Sequence, residues 1–295
     1  MNTTQRDQWI DGVLVEVMKA LMGDEKLRAA LVFKGAWILN FHLGENRHSM
    51  DIDAAAEPMW AKAMECLDAE EAYLDKYLPR AVTRHFENQN PVRFALEKTK
   101  ITRNPPQHPR NWDMIQVSLT IKDSLNPTVR GLPAVELEVS APETYGADAV
   151  ETRDFLGVPA QVYALHRIAG EKLRAYLTSL PEYRRKMEGT IGRERAVRVK
   201  DLHDTARILK ARPITDLDFW TRAASEFRLA CASRYVDCES ANTFKQGWEQ
   251  VRARYTEDRH LASVSFAEVE AAIDQVLAFF SEMDVFPLQF TLPPL

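Results

Sequence analysis

The sequence predicts an α+β protein, with a small mixed sheet and flanking helices followed by a helical subdomain. Three patterns in the sequence support this prediction. Apolar residues recur every three or four positions near the start, polar and apolar residues alternate in the middle, and helical spacing returns from about residue 160. At 295 residues the chain is long enough for two domains. We therefore expect a sheet domain with an N-terminal helix over residues 1–158 and a helical domain over residues 159–295.

The first half of the chain carries the strand signals. Apolar spacing predicts a helix over residues 9–22, and a buried apolar run predicts a strand over 31–33. At Gly35 this strand is followed by a second helix, which ends at Gly44. Residues 59–78 have an acidic, helical pattern. Alternating polar and apolar residues then predict three strands with one solvated face, over 92–101, 114–121 and 134–140.

The second half reads as helical, and no internal repeat is visible. Ser265 and Thr243 are suitable residues near helix starts, since their hydroxyls accept a hydrogen bond from the first turn. The predicted helices cover residues 164–180, 196–211, 217–231, 243–255 and 266–281.

The composition is that of a globular protein. The chain is 45% hydrophobic and 27% charged, and 38 Lys+Arg against 43 Asp+Glu give a net charge of −5. These values exclude disordered, collagen-like and coiled-coil chains, and the mild negative charge argues against a general nucleic-acid coat while permitting a local basic surface. Three scattered cysteines argue against a disulfide framework or a four-cysteine zinc site. No signal peptide or membrane-spanning stretch is visible, so we expect a cytoplasmic protein.

Asp51 and Asp53 form the first candidate site. On a strand, side chains two residues apart project from one face, so the pair offers two carboxylates while Ile52 packs on the other face. Paired carboxylates suit Mg²⁺, which is usually bound by one or two carboxylates together with substrate phosphates. The alternative is that this short pattern arose by chance, which is common at strand ends.

Two further features bear on this pair. Gly35 lies at a strand-to-helix corner, where a phosphate can approach the first helix amides closely; the alternative is a tight turn without a ligand and a solvated Lys34. Glu136 and Glu138 share one face of their strand. Either glutamate could supply a third carboxylate if the strands are neighbours, or both could face water.

The helical half contains a lysine and two acids of interest. Lys172 borders an apolar stripe, where it either extends to solvent or neutralises a bound triphosphate. Asp201 and Asp204, three residues apart on a helix, either pair with neighbouring cations such as Arg198 or line a cleft. The basic segment 184–200 is either solvated surface or a contact for an RNA backbone.

Five segments in order resemble a known family. They are FKGAWIL, RHSMDID, VELEVS, AGEKLRAYL and KDLHD, spread over about residues 30–210. This set resembles the AbiEii-type nucleotidyltransferases, the toxin enzymes of type IV toxin–antitoxin systems. The resemblance implies a DNA polymerase β-like nucleotidyltransferase fold that transfers a nucleotide from an NTP to an acceptor. In studied relatives that acceptor is the 3′ end of tRNA.

The resemblance also implies roles for individual residues. Asp51 and Asp53 would be catalytic and hold Mg²⁺, with Glu138 as the third metal ligand. Lys172 would bind the triphosphate, and Asp201 would be the essential acid of the last motif. The helical domain would complete the active-site cleft. The expected partners are the NTP, tRNA or another RNA and a cognate antitoxin protein, with no membrane.

The strand-to-helix corner departs from the family pattern. Ala36 replaces a glycine, Trp37 stands where the family has Ser or Thr, and Lys200 replaces an arginine. These changes leave two other interpretations open: an inactive member that serves as an antitoxin- or RNA-binding module, or a nucleotidyltransferase with a protein or small-molecule acceptor. The residues expected to bind the nucleotide are Lys34, Gly35, Arg47, Ser49 and Lys172.

Overall fold

The computed structural model describes residues 3–44, 51–106, 108, 110, 112–126, 132–187 and 196–294. It divides into two compact units, and each is described separately. The first comprises Met1–Pro142 and Val150–Tyr163, and the second comprises Glu143–Ala149 and Ala164–Leu295. Compactness does not show that a unit is an independent domain, so the domain boundary at residue 158 stays a prediction. The expected α+β class is confirmed by the mixed sheet and the helices around it.

The first unit is built on a seven-stranded sheet. Its elements are α1 (Thr3–Gly23), α2 (Glu25–Ala30), β1 (Leu31–Lys34), α3 (Gly35–Leu43), β2 (Asp51–Ala56), α4 (Pro58–Met64), α5 (Leu67–Glu87), β3 (Phe94–Asn104), β4 (Met114–Asp123), β5 (Val135–Ser140), β6 (Val150–Phe155) and β7 (Val158–Tyr163). The strand order in the sheet is β3-β4-β5-β2-β1-β7-β6. The β2–β5 and β1–β7 pairs are parallel, and the remaining pairs are antiparallel.

The alternating sequence of the central strands explains the core of this unit. In β4, Ile115, Val117 and Leu119 are buried, and the residues between them are half-buried. Helix α1 packs against β2, β5 and β7, while α5 packs against α1 and β3. The apolar side chains of the strands and the two long helices therefore share one core, and the polar side chains of β2 and β5 project from the opposite face of the sheet.

Two parts of this unit differ from the sequence prediction. The helical pattern at 59–78 is split into two helices, and α5 continues through Pro79 as far as Glu87. Proline disfavours a helix interior because it has no N–H to donate, but burial of Leu78, Val82 and Phe86 on the core side outweighs that cost. The β6–β7 hairpin was not predicted. Most of β6 is exposed or half-buried, so its sequence shows no alternation.

The second unit is helical, as predicted. Gly170 of helix α6 (Leu165–Leu177) lies against helix α9 (Leu217–Arg234). An added Cβ there would be 2.6 Å from the backbone nitrogen of Phe227, so glycine permits this close helix contact. Ser265 caps α11 as expected from the sequence, and its Oγ accepts from the Glu268 amide. No helix in the described part of the chain is long and apolar enough to cross a membrane. The α-helices are α6 (Leu165–Leu177), α7 (Pro181–Lys186), α8 (Val199–Ala211), α9 (Leu217–Arg234), α10 (Trp248–Glu257) and α11 (Phe266–Glu282), with 3-10 helices at Ala241–Lys245 and Arg259–Leu261.

Candidate functional site

Four carboxylates share one face of the central strands. In β2, Asp51 and Asp53 are half-buried, while Ile52 between them is buried in the core. Strand β5 runs parallel to β2 and places Glu136 opposite Asp51, and Glu138 opposite Asp53. Residues in register on neighbouring strands project from the same face of the sheet. We call these four side chains the carboxylate row.

The two glutamates of this row differ in their surroundings. Glu136 accepts a hydrogen bond of 2.8 Å from the Ser118 hydroxyl of β4. Glu138 is in register with Asp53, which is opposite Lys34 at the end of β1, where α3 begins. Of the two candidates that the sequence left open, Glu138 therefore lies beside the aspartate next to the strand-to-helix corner.

Lys34 brings a positive charge to the same row. It is opposite Asp53 in the antiparallel β1–β2 pair, so its side chain starts from the same face as the carboxylates. Its ammonium nitrogen lies 5.7 Å from the centre of the Tyr163 ring, within range of a cation–π contact. Lys34 of β1 thus supplies a positive charge next to the carboxylate row.

Gly35 is required at the start of α3 for two reasons. Its φ of +77° lies in the left-handed region, and a Cβ at this position would be 1.9 Å from Oδ2 of Asp53. The Asp53 carboxylate therefore lies directly against the first residue of the helix, where helix amides favour negative charge. The sequence predicted a phosphate close to Gly35, and that contact stays a prediction.

Replacing Gly35 with alanine should destabilise the protein by about 1–3 kcal/mol, because the new methyl group meets the Asp53 carboxylate and the residue has a positive φ. Urea unfolding measures this change. Gly12→Ala is the matched control: it lies inside α1 and a Cβ there has no atom within 4 Å, so it should be neutral or stabilising by up to about 1 kcal/mol. Equal effects of the two substitutions would contradict the expectation.

In the second unit, the structure brings Lys172 and Asp201 together. The Lys172 Nζ lies 3.0 Å from Oδ1 of Asp201 and 2.9 Å from Oδ2 of Asp204. Both carboxylates are almost completely buried, and each also pairs with an arginine: Arg198 with Asp201 and Arg207 with Asp204. The Arg198 contact is one of the alternatives that the sequence left open for Asp201.

This network keeps both of the predicted residues charged. Burial alone would lower the pKa of Lys172, but the carboxylates of Asp204 and Asp201 outweigh burial and raise it. Burial alone would raise the pKa of Asp201, but Arg198 and Lys172 lower it to about 2. The second unit thus holds a charged ammonium group between the carboxylates of Asp201 and Asp204.

The lowered pKa of Asp201 predicts a dependence of stability on pH. Because this pKa falls from 3.8 to about 2 on folding, the ionised carboxylate stabilises the native state above about pH 4, and the contribution is lost as the pH falls towards 2. We expect Asp201→Asn to lower the free energy of unfolding by about 2 kcal/mol at pH 7, with the difference shrinking below pH 4. Urea unfolding at pH 7, 5 and 3 measures it. The exposed Asp75→Asn is the control, and a difference that stays constant with pH would refute the expectation.

A second group of possible metal ligands was not predicted. In the described ranges, Asp148, His166 and Glu226 each offer a ligand atom within 4.8 Å of the other two. No spacing motif could reveal these positions, which are far apart in the sequence. Their carboxylates already pair with arginines, since Glu226 accepts from Arg167 at 3.2 Å and Asp148 pairs with Arg222 at 3.2 Å. This geometry favours an ion-pair network.

Some of the predicted residues lie outside the described residues. These are Arg47 and Ser49, together with positions 188–195 of the basic segment. Trp37, which replaces the family's hydroxyl residue, is half-buried. Its indole N–H is buried and has no hydrogen-bond acceptor in the part of the chain that the structure describes.

The fold is shared with solved structures from Helicobacter pylori. One, described as a candidate nucleotidyltransferase, aligns over 96% of this chain and 96% of its own, with a TM-score of 0.51 and 15% identity. Another, the protein JHP933, aligns over 94% of this chain and 91% of its own, with the same TM-score of 0.51 and 15% identity. At this identity the likeness concerns the fold, which is the α+β nucleotidyltransferase architecture that the sequence predicts.

The sequence match is more specific than the fold. Residues 16–286 match the family described as the nucleotidyl transferase AbiEii toxin of the type IV toxin–antitoxin systems. A search of curated proteins gave no significant match. Because the family match spans most of the chain, the protein belongs to the AbiEii nucleotidyltransferase toxin family. The resemblance seen in the five sequence segments is therefore confirmed.

Proposed function

We propose that the protein transfers a nucleotide from an NTP to the 3′ end of tRNA. The observation that carries the proposal is the carboxylate row, in which Asp51, Asp53 and Glu138 share one face beside Lys34 and the start of α3. The family supplies the reaction class, and the row supplies side chains that fit it. The transfer is an in-line displacement at the α-phosphorus, in which the acceptor hydroxyl attacks and pyrophosphate leaves.

The residues of the row fit a magnesium ion. Asp51, Asp53 and Glu138 are all oxygen donors, which is the ligand type that this hard cation prefers, and they start from adjacent positions of one sheet face. When bound, Mg²⁺ would neutralise phosphate charge and polarise the reacting phosphoryl group. The three carboxylates are the residues that would hold it.

The other side chains of the site would position the nucleotide. Lys34 supplies a cation beside Asp53, and Gly35 allows the Asp53 carboxylate to lie directly against the start of α3. For Lys172, in the second unit, we propose from the family resemblance that its ammonium group contacts the triphosphate. Asp201 and Asp204 fix its ammonium group and keep it protonated, so the role of these two acids is to position the lysine. A cognate antitoxin is the protein partner proposed from the family.

The proposal is tested by incubating the purified protein with Mg²⁺, total deacylated tRNA and each α-³²P-labelled NTP in turn. We expect label at the tRNA 3′ end with at least one NTP and none with an Asp51→Asn/Asp53→Asn variant. Label on protein or on a small molecule, and not on tRNA, would show that the acceptor is a protein or a small molecule. Absence of label from every fraction, with no pyrophosphate released, would refute the enzymatic function and favour the binding-module interpretation.

A further inference from the structure

A basic and aromatic groove lies on the first unit, between the start of α2 and the side of α5. Its cavity has a volume of about 480 Å³. None of its lining residues belongs to the carboxylate row, and the sequence prediction did not single them out. We call this cavity the α5 groove. It is lined by Gly23, Asp24, Glu25, Lys26, Tyr77, Arg80 and Arg84.

Two tyrosines and two arginines lie along one side of α5. Tyr73, Tyr77, Arg80 and Arg84 are spaced by four, three and four residues, so they form a stripe that is roughly 16 Å long. Lys26 extends from α2 to this stripe, and its Nζ lies 3.1 Å from the Tyr77 hydroxyl and 4.4 Å from the centre of its ring. The groove thus presents aromatic surface and positive charge together.

The positive charge of the groove is only partly neutralised. Arg84 pairs with Asp24 at 2.8 Å, and the exposed Glu25 is the second carboxylate of the lining. Lys76 lies beside the cavity, with its Nζ 5.1 Å from the centre of the Tyr77 ring. Among the described residues, no carboxylate lies within ion-pair distance of Lys26, Lys76 or Arg80, and all three are exposed. Hydrogen bonds with Lys26 and Lys76 lower the pKa of the Tyr77 hydroxyl. An exposed set of cations of this kind attracts a ligand with several negative charges.

We propose that the α5 groove binds the sugar-phosphate backbone of the acceptor RNA and that an unpaired base stacks on Tyr77. This inference rests on the proposed function, because it takes RNA as the acceptor. Cations beside aromatic rings suit single-stranded nucleic acid, in which every phosphate is charged and every base has a π-face. An acidic peptide would satisfy the cations but would not use the rings.

The charge of the groove is tested with Lys76→Glu/Arg80→Glu. Both side chains are exposed and lie outside the carboxylate row, so circular dichroism and thermal melting should match the wild type. Binding of fluorescein-labelled total deacylated tRNA is followed by anisotropy over a range of salt concentrations, without NTP. We expect binding at least tenfold weaker, and the slope of log K against log salt should fall in magnitude by about 1.4 for two lost phosphate contacts.

A charge-matched control separates a local site from a general charge effect. Arg254→Glu/Arg259→Glu makes the same change at two exposed positions of the second unit and should leave tRNA binding within about twofold of the wild type. The aromatic part is tested by Tyr77→Leu, which should weaken binding roughly fivefold or more, whereas Tyr77→Phe keeps the ring and should remain close to the wild type.

Each outcome decides the inference. Weaker binding confined to the groove variants, with unchanged NTP binding, supports it. If Lys76→Glu/Arg80→Glu binds tRNA as tightly as the wild type, the groove is not the RNA-binding site. If tRNA is still labelled normally in that case, the proposed function is unaffected. An equal loss in the control pair, or equally tight binding of a fluorescent oligoglutamate to the wild type, also overturns the inference. A wild-type protein that neither binds nor labels tRNA overturns both this inference and the proposed acceptor.

Discussion

Replacing Asp51 with alanine should lower nucleotide transfer by on the order of a hundredfold or more. Asp51 starts from the same face of the sheet as Asp53 and the β5 glutamates, and its removal takes one of three proposed metal ligands from the row. Metal and positioning effects provide most of the acceleration in phosphoryl-type transfer, so the loss should appear in the chemical step. Single-turnover incorporation of labelled nucleotide measures it.

The fold should survive this substitution, because the Asp51 side chain is half-buried at the end of a strand and Ile52 retains its core contact. Glu87→Ala is the control: it removes an exposed carboxylate from the end of α5 and should leave transfer unchanged. If Asp51→Ala folds and keeps near-wild-type turnover, the proposed catalytic role of the carboxylate row is wrong. Loss of activity together with loss of secondary structure would instead assign Asp51 a structural role.

The features that the sequence predicted well are those set by local periodicity. Alternating residues in β4 and β5 follow directly from one buried and one solvated face, and this pattern places Asp51 and Asp53 on one side of β2. Gly35 was recognisable because it stands where a buried apolar run gives way to helical spacing. The sequence could not show that the Asp53 carboxylate occupies the space beside it, because this depends on the β1–β2 register.

The features that the sequence missed depend on contacts between distant residues. The β6–β7 hairpin turns at Leu156 and Gly157, both with positive φ, and Leu at the first position is not a turn signal. The α5 groove combines Lys26 with residues about fifty positions later, so no single segment revealed it. The same is true of the segment Glu143–Ala149, which belongs to the second unit although β6 and β7, which follow it, belong to the first.

Glu143 in this segment should be among the most sensitive positions for stability. Its carboxylate accepts hydrogen bonds from Arg167 at 2.7 Å, Arg174 at 2.9 Å and Arg234 at 3.1 Å, and Glu143 itself is only 4% exposed. Arg167 is completely buried. Three guanidinium groups thus converge on one almost completely buried acid, while Arg167 also pairs with Glu226 and Arg174 with Glu171. The arginines join this segment to α6 and α9.

We expect Glu143→Gln to lower the free energy of unfolding by about 3–5 kcal/mol, because removing one partner leaves buried charge without compensation. Urea unfolding at pH 7 measures the change. Asp218→Asn is the control, since its ion pair with Arg222 is exposed and should contribute less than about 1 kcal/mol. A loss of less than 1 kcal/mol for Glu143→Gln would mean that Glu226 and water compensate for the missing charge. The arginines would then position this segment without stabilising the second unit.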